Sequence, residues 1–135
     1  MTDEPGAPRP RHELTILAVA DLQRSQAFYR EALGWPIRVE VPVYVEFDLG
    51  DGRGLGLYDR RGYAVNVGQL PVEVADGEIT GTEIYCRCDD LAGAIARLEE
   101  AGARMLSGLA ARDWGEEAAY FADPDGNVLV VARVL

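Results

Sequence analysis

Residues 121–131 read Phe121-Ala122-Asp123-Pro124-Asp125-Gly126-Asn127-Val128-Leu129-Val130-Val131, and they lie without a gap on Phe47-Asp48-Leu49-Gly50-Asp51-Gly52-Arg53-Gly54-Leu55-Gly56-Leu57. Each stretch is a strand, an Asp-Gly turn and a return strand, which predicts a β-hairpin. Working outward, residues 38–41 and 103–106 supply one further strand before each hairpin. Before the first of these, residues 14–20 form a short apolar run; Asp21 is a helix-capping residue, and Leu22, Ala27, Phe28, Ala32 and Leu33 lead up to Gly34. Residues 84–88, the pair Asp89-Asp90, the spaced Leu91, Ala94, Ile95, Leu98 and Ala101, and then Gly102 repeat that order. The chain therefore reads β-α-β-β-β twice.

The first module spans residues 13–58 and the second 82–135. Residues 1–12 hold three prolines and mixed charge without the apolar segment of a signal peptide, so a disordered N-terminal tail is expected there. Residues 59–81 read as a linker, with Arg60-Arg61-Gly62, Pro71 and Asp76-Gly77 and an irregular strand near 63–67. A four-stranded module cannot cover its own sheet, whereas two of them paired can enclose a concave cavity. The expected fold class is α+β, two tandem βαβββ modules forming a curved mixed sheet around a shared cavity.

Composition removes several functions. A chain of 135 residues, 48% hydrophobic and 27% charged, fits one compact domain. Thirteen basic against 23 acidic residues leave a net charge of −10, the wrong sign for gripping a phosphate backbone. Every basic residue is arginine, so Schiff-base chemistry and a phosphate-loop lysine are excluded. His12 is the one histidine, and Cys86 and Cys88 are the two cysteines, too few for a zinc cluster or a disulfide framework. No apolar run is long enough to span a bilayer. A cytoplasmic protein with no nucleic-acid or membrane partner is expected.

The duplicated pattern resembles the vicinal oxygen chelate superfamily, which holds glyoxalase I, extradiol dioxygenases, fosfomycin-resistance enzymes and the bleomycin-resistance binding proteins. The resemblance is carried by Val19-Ala20-Asp21-Leu22, Phe28-Tyr29 and Leu33-Gly34-Trp35, and by Trp114-Gly115 leading into Tyr120-Phe121-Ala122-Asp123-Pro124-Asp125-Gly126-Asn127. It implies the glyoxalase/bleomycin-resistance/dioxygenase fold and a homodimer. In metal-dependent members, it also implies one metal ligand on each of four strands, commonly His, Glu or Gln. Carried onto this chain, those positions are Leu14, Gly56, Glu83 and Val130. Leucine and valine have no lone pair to give and glycine has no side chain, so one donor remains where a tight site needs about three. No cofactor is therefore expected, with His12, two residues before Leu14, the single imidazole near the position.

Strand alternation assigns the cavity wall. With Glu83 inward, Tyr85 and Arg87 follow it, while Cys86 and Cys88 turn to the helix as core packing. Tyr44 and Glu46 face the cavity opposite the apolar Val43, Val45 and Phe47; Tyr58 follows Gly56; Tyr120 is the repeat-mate of Glu46; Trp114 stands at the rim. The candidate ligand-binding set is Tyr44, Glu46, Tyr58, Glu83, Tyr85, Arg87, Trp114 and Tyr120. Glu83 reads either as a ligand contact or as the ion-pair partner of Arg87 or another arginine. The Asp123–Asn127 run reads as a tight turn, and Arg60-Arg61, Glu99-Glu100 and Glu116-Glu117 as solvated surface.

The function expected from these features is non-catalytic binding of a small molecule, an antibiotic or another cationic or aromatic natural product. The alternative is a lyase, isomerase or dioxygenase of the same superfamily. It would be either metal-free, with Glu83 as general base and Tyr58 or Tyr85 as its acid partner, or built on displaced metal ligands.

Overall fold

The computed structural model describes residues 6–135. The elements run β1 (Leu14–Val19), α1 (Leu22–Leu33), β2 (Ile37–Val41), β3 (Tyr44–Gly50), β4 (Arg53–Asp59), α2 (Arg60–Val67), β5 (Glu83–Arg87), α3 (Leu91–Glu100), β6 (Arg104–Ala111), β7 (Glu116–Ala122) and β8 (Val128–Val134). They form two four-stranded sheets of the same topology, β1-β4-β3-β2 and β5-β8-β7-β6. In each, the first strand lies parallel to the fourth and the other neighbours are antiparallel. The duplication holds to the residue. Phe47 faces Leu55 as Phe121 faces Leu129, and Ile16 faces Gly56 as Tyr85 faces Val130.

Local chemistry sets the element ends. Asp21 accepts from the Arg24 amide at 3.1 Å, supplying one of the acceptors that a helix start lacks, and Asp90 does the same for Gly93 at 3.0 Å. The turn between β3 and β4 needs positive φ at both Asp51 (55°) and Gly52 (76°), the backbone of a tight hairpin matched to strand twist.

One face of each sheet, together with α1 and α3 packed on each other, makes a single core. Leu17, Val19, Val45, Phe47, Leu55 and Leu57 come from the first sheet, Ala119, Phe121, Leu129 and Val131 from the second, and Phe28, Tyr29, Ala32, Leu91, Ala94 and Leu98 from the helices. Each Phe- or Leu-sized side chain withdrawn from water there contributes roughly 1.5–3 kcal/mol. The opposite face of the second sheet carries a smaller cluster of Ala118, Val128, Val130 and Ala132 with Tyr85, Leu106 and Tyr120 packed on it.

The Asp123–Asn127 turn does more than reverse the chain. Asp125 accepts from the Ala20 amide at 2.9 Å and the Ser25 hydroxyl at 2.8 Å, so the second module supplies acceptors to the start of α1 in the first. The buried Asp123 accepts from the Tyr29 hydroxyl at 2.6 Å, the Asn127 side chain at 3.0 Å and the Asp125 and Asn127 amides. Burial pushes the Asp123 carboxyl up, against the downward pull of the Tyr29 and Asn127 bonds, and burial with the Asp123 charge raises the Tyr29 phenol.

Three expectations change. Residues 60–67 form the helix α2, not irregular strand, because Asp59 caps the amides of Arg61 (3.0 Å) and Gly62 (3.2 Å) and Gly68 closes it at φ 83°. No α2 residue is buried, and Val65 stays 84% exposed. Arg60 is not free surface: it donates to the Pro71 carbonyl at 2.6 Å and pairs with Glu73 at 3.5 Å, tying the connection down. The strand after α3 runs to Ala111, well beyond residue 106.

Of the expected tail, residues 1–5 lie outside the described residues. Residues 6–12 are exposed and carry no helix or strand, and Arg11 pairs with Glu13 at 3.2 Å. Among the described residues, no helix is long and apolar enough to cross a membrane.

Candidate functional site

The face of the first sheet turned away from α1 is built from alternate residues of β3 and β4. Tyr44 stands opposite Tyr58, Glu46 opposite Gly56 and Asp48 opposite Gly54. Glu46 is only 9% exposed because two side chains cover it. The Tyr44 hydroxyl donates to one carboxylate oxygen at 2.5 Å and Arg38 Nε to the other at 2.5 Å. Arg38 also donates to the carbonyls of Gly52 (3.3 Å) and Arg53 (3.2 Å). The Tyr44 hydrogen bond, then Arg38, hold the Glu46 carboxyl below its usual range, while burial and Glu46 raise the Tyr44 phenol. Tyr58 continues the aromatic surface, 5.2 Å from the Tyr44 ring and 5.7 Å from Tyr63 on α2, and its hydroxyl accepts from Asn66 at 3.1 Å.

The corresponding face of the second sheet is arranged differently. Arg87 holds the Glu116 carboxylate by two bonds, at 2.6 and 3.1 Å, and lies 5.4 Å over the Tyr85 ring. Trp114, half exposed at the rim, donates its indole N–H to the Tyr85 hydroxyl at 3.0 Å. Arg112 covers Tyr120 at 4.9 Å and is pinned by Ser107, Gly108 and Ala118. Glu83 is exposed, and among the described residues its side chain makes no hydrogen bond or ion pair; its charge helps burial raise the Tyr120 phenol.

The eight residues expected at the site thus fall into two groups. Tyr44, Glu46 and Tyr58 meet on the first sheet, and Tyr85, Arg87, Trp114 and Tyr120, with Glu83, on the second. Among the described residues no hydrogen bond, ion pair or ring contact joins the two groups, because α1 and α3 pack between the modules and the two inner faces belong to separate sheets. Arg87 pairs with Glu116, not with Glu83, so Glu116 is a nearly buried anchor (5% exposed) and not solvated surface. Arg38 was not legible, because β2 shifts register between Ile37, which faces Phe47, and Val39, which faces Glu46, and alternation fails across that shift. Tyr63 and Asn66 were hidden by the reading of α2 as strand. Arg112 lies at a chain reversal, where no periodicity points to it. Val43, expected on the core face, precedes β3 and is exposed. The cysteines pack against the core as expected, and burial pushes the Cys86 thiol up to about 11.

The four positions that the resemblance implies for a metal fall on both sheets. Leu14 and Gly56 lie on neighbouring strands of the first sheet, Glu83 and Val130 on neighbouring strands of the second. A Cβ built on Gly56 would stand 2.6 Å from Tyr44 Cε1 and 2.8 Å from Cζ, so the Tyr44 ring already fills the space a ligand side chain would need. Imidazole offers no rescue: β1 begins at Leu14, and His12 hydrogen-bonds to Thr15 at 3.1 Å. Among the described residues, no three His, Cys, Asp or Glu side chains gather where they could hold an ion. The residues present do not fit the superfamily's metal.

The protein-family model of the Glyoxalase/Bleomycin resistance protein/Dioxygenase superfamily matches residues 11–131. The chain belongs to that superfamily. Among solved structures, a glyoxalase/bleomycin resistance protein/dioxygenase from Nocardioides is similar at a TM-score of 0.79 and 23% identity, covering 97% of this chain and 87% of that one. A glyoxalase-related enzyme from Fulvimarina pelagi gives 0.78 and 23%, covering 91% and 87%. A lactoylglutathione lyase from Agrobacterium tumefaciens gives 0.69 and 24%, covering 93% and 95%. At these identities the likeness establishes the superfamily fold and leaves chemistry to the site. No curated protein matches the sequence.

Proposed function

We propose that this superfamily member is a non-catalytic binding protein for a small cationic or planar aromatic molecule, an antibiotic or similar natural product. The observation that carries the reading is the Tyr44 ring lying across Gly56. Side chains that stack and hydrogen-bond occupy the place where a metal ligand would stand. Tyr58, Tyr63, Tyr85, Tyr120 and Trp114 add π surface suited to planar or cationic groups. The inward carboxylates Glu46 and Glu116 are held by arginines. Glu83, the candidate general base, has no hydrogen-bond or ion-pair partner among the described residues to orient it, and general-base catalysis depends on such placement.

The ligand groove is completed by a second copy of the chain. Each sheet ends on unpaired edges, and the two inner faces carry complementary halves of the candidate set without meeting inside one chain. Free thiols at Cys86 and Cys88 suit a reducing compartment, the cytoplasm.

The test is a thermal-shift screen of metal-stripped protein against cationic and planar aromatic natural products, and separately against divalent metals. A ligand at 100 times its Kd adds roughly 2.7 kcal/mol of apparent stability. Stabilisation by an organic compound without metal is expected. One equivalent of tightly bound metal by elemental analysis overturns the reading, and sedimentation as a monomer at micromolar concentration overturns the shared groove.

A further inference from the structure

Arg38, Glu46 and Tyr44 form one hydrogen-bonded chain over the two glycines of β4. A Cβ at Gly54 would collide with the Arg38 guanidinium, as one at Gly56 would with the Tyr44 phenol. Glycine at both positions is therefore the condition for this chain to lie flat on the sheet. A phenol carries one proton, and the Tyr44 proton goes to Glu46. Tyr44 can offer any other group only its oxygen lone pairs, made more electron-rich by the bond to a carboxylate. The Tyr58 ring lies 5.2 Å from the Tyr44 ring and the Tyr63 ring 5.7 Å from that of Tyr58, and the faces of such rings are the negative poles of their quadrupoles. The cation that holds Glu46 is committed. Arg38 is held by Glu46 and two backbone carbonyls, with Asp48 at 3.9 Å.

We infer that this corner of the site works with inverted polarity: where a metal would attract a ligand's oxygen atoms, the Tyr44 oxygen and the Tyr58–Tyr63 faces receive an N–H donor or cationic group. The corner selects an ammonium, guanidinium or protonated heteroaromatic end and disfavours a carboxylate or enolate of the same shape. Tyr44 thereby becomes a specificity-determining residue, and Gly56 cannot be changed to a metal-binding side chain unless Tyr44 is removed. The inference rests on the binding function proposed above.

A matched pair of probes tests it, naphthylmethylammonium and naphthoate, alike in ring system and opposite in charge. Their affinities for the intact chain are measured by calorimetry, with zinc and manganese chloride titrated alone. The ammonium is expected to bind roughly ten-fold or more tightly than the carboxylate, the scale of one hydrogen bond to a charged group. In Tyr44→Phe, with its fold checked by circular dichroism, that preference should fall to roughly two-fold, the residue left by the ring faces. Equal or reversed preference in the unaltered protein overturns the inversion and leaves the binding reading standing. Binding of neither probe, or tight stoichiometric binding of either metal, overturns both. A preference unchanged in a folded Tyr44→Phe removes the Tyr44 oxygen as its source.

Discussion

The two modules share a strand order and the pairing of their hairpin strands, and they differ most on one face. On the core side, Phe47 and Phe121, Leu55 and Leu129, and Leu57 and Val131 are matched pairs buried in the same cluster. On the other side the matches end: Tyr44 answers to Ala118, Glu46 to Tyr120, Gly56 to Val130 and Ile16 to Tyr85. Each module nevertheless sets an arginine against the 46/120 position, Arg38 on β2 by an ion pair with Glu46 and Arg112, just past the end of β6, by lying over the Tyr120 ring. A shared core fixes what the two halves must keep in common. The faces that see solvent or ligand are free of that constraint: the first sheet sets its tyrosines on β3 (Tyr44) and β4 (Tyr58), the second on β5 (Tyr85) and β7 (Tyr120).

The largest effect should come from testing the equivalence itself. Phe47→Ala and Phe121→Ala are each expected to cost about 3–5 kcal/mol in urea unfolding, with similar values for the two. Costs that differ severalfold would break the idea of one core shared evenly. A smaller effect is expected at the 56/130 position, where the modules should respond to opposite changes. Gly56→Ala pushes a methyl into the Tyr44 ring and should cost about 1–3 kcal/mol. Most of that loss should vanish when the same change is made in Tyr44→Ala. An additive double-mutant cycle would show that the ring does not hold that space.

The smallest effect concerns pH. Glu46 and Glu116 both titrate below the ordinary range, the first through the Tyr44 and Arg38 bonds and the second through Arg87. Their contribution is fully present above the unfolded value of about 4.3 and is lost as pH falls through the lower folded value. Asp123, raised by burial, acts in the opposite sense. Its cost at neutral pH is relieved as pH falls through its folded value toward the unfolded value of about 3.9. Glu46→Gln and Glu116→Gln should therefore each flatten the acid side of the stability curve, measured as urea midpoint between about pH 5 and pH 3. An unchanged acid limb in both variants would show that the two arginine pairs do not couple folding to protonation.

What the sequence disclosed follows the range of each signal. Hairpin register was legible because turn length fixes it locally, and the inward sides of β3, β4 and β5 followed from alternation alone. Two inner faces in separate sheets could not be read, since their placement depends on α1 packing against α3 and no periodicity encodes that. The burial of Glu116 depends on Arg87, 29 residues away on another strand, so an acidic pair looked like surface. The helix α2 is hard to read because it buries nothing and shows no amphipathic stripe, leaving the Asp59 and Gly68 caps as its clues.

The turn that joins β7 to β8 has a consequence in time. The acceptors for Ala20 and Ser25 lie 105 and 100 residues downstream, and Tyr29 finds its carboxylate 94 residues on. A chain emerging from the ribosome finishes the first helix long before it makes the residues that satisfy it. The first module therefore waits, its helix start and a core phenol without partners, until the last hairpin closes. Duplication has produced two halves that look independent on paper and ripen together.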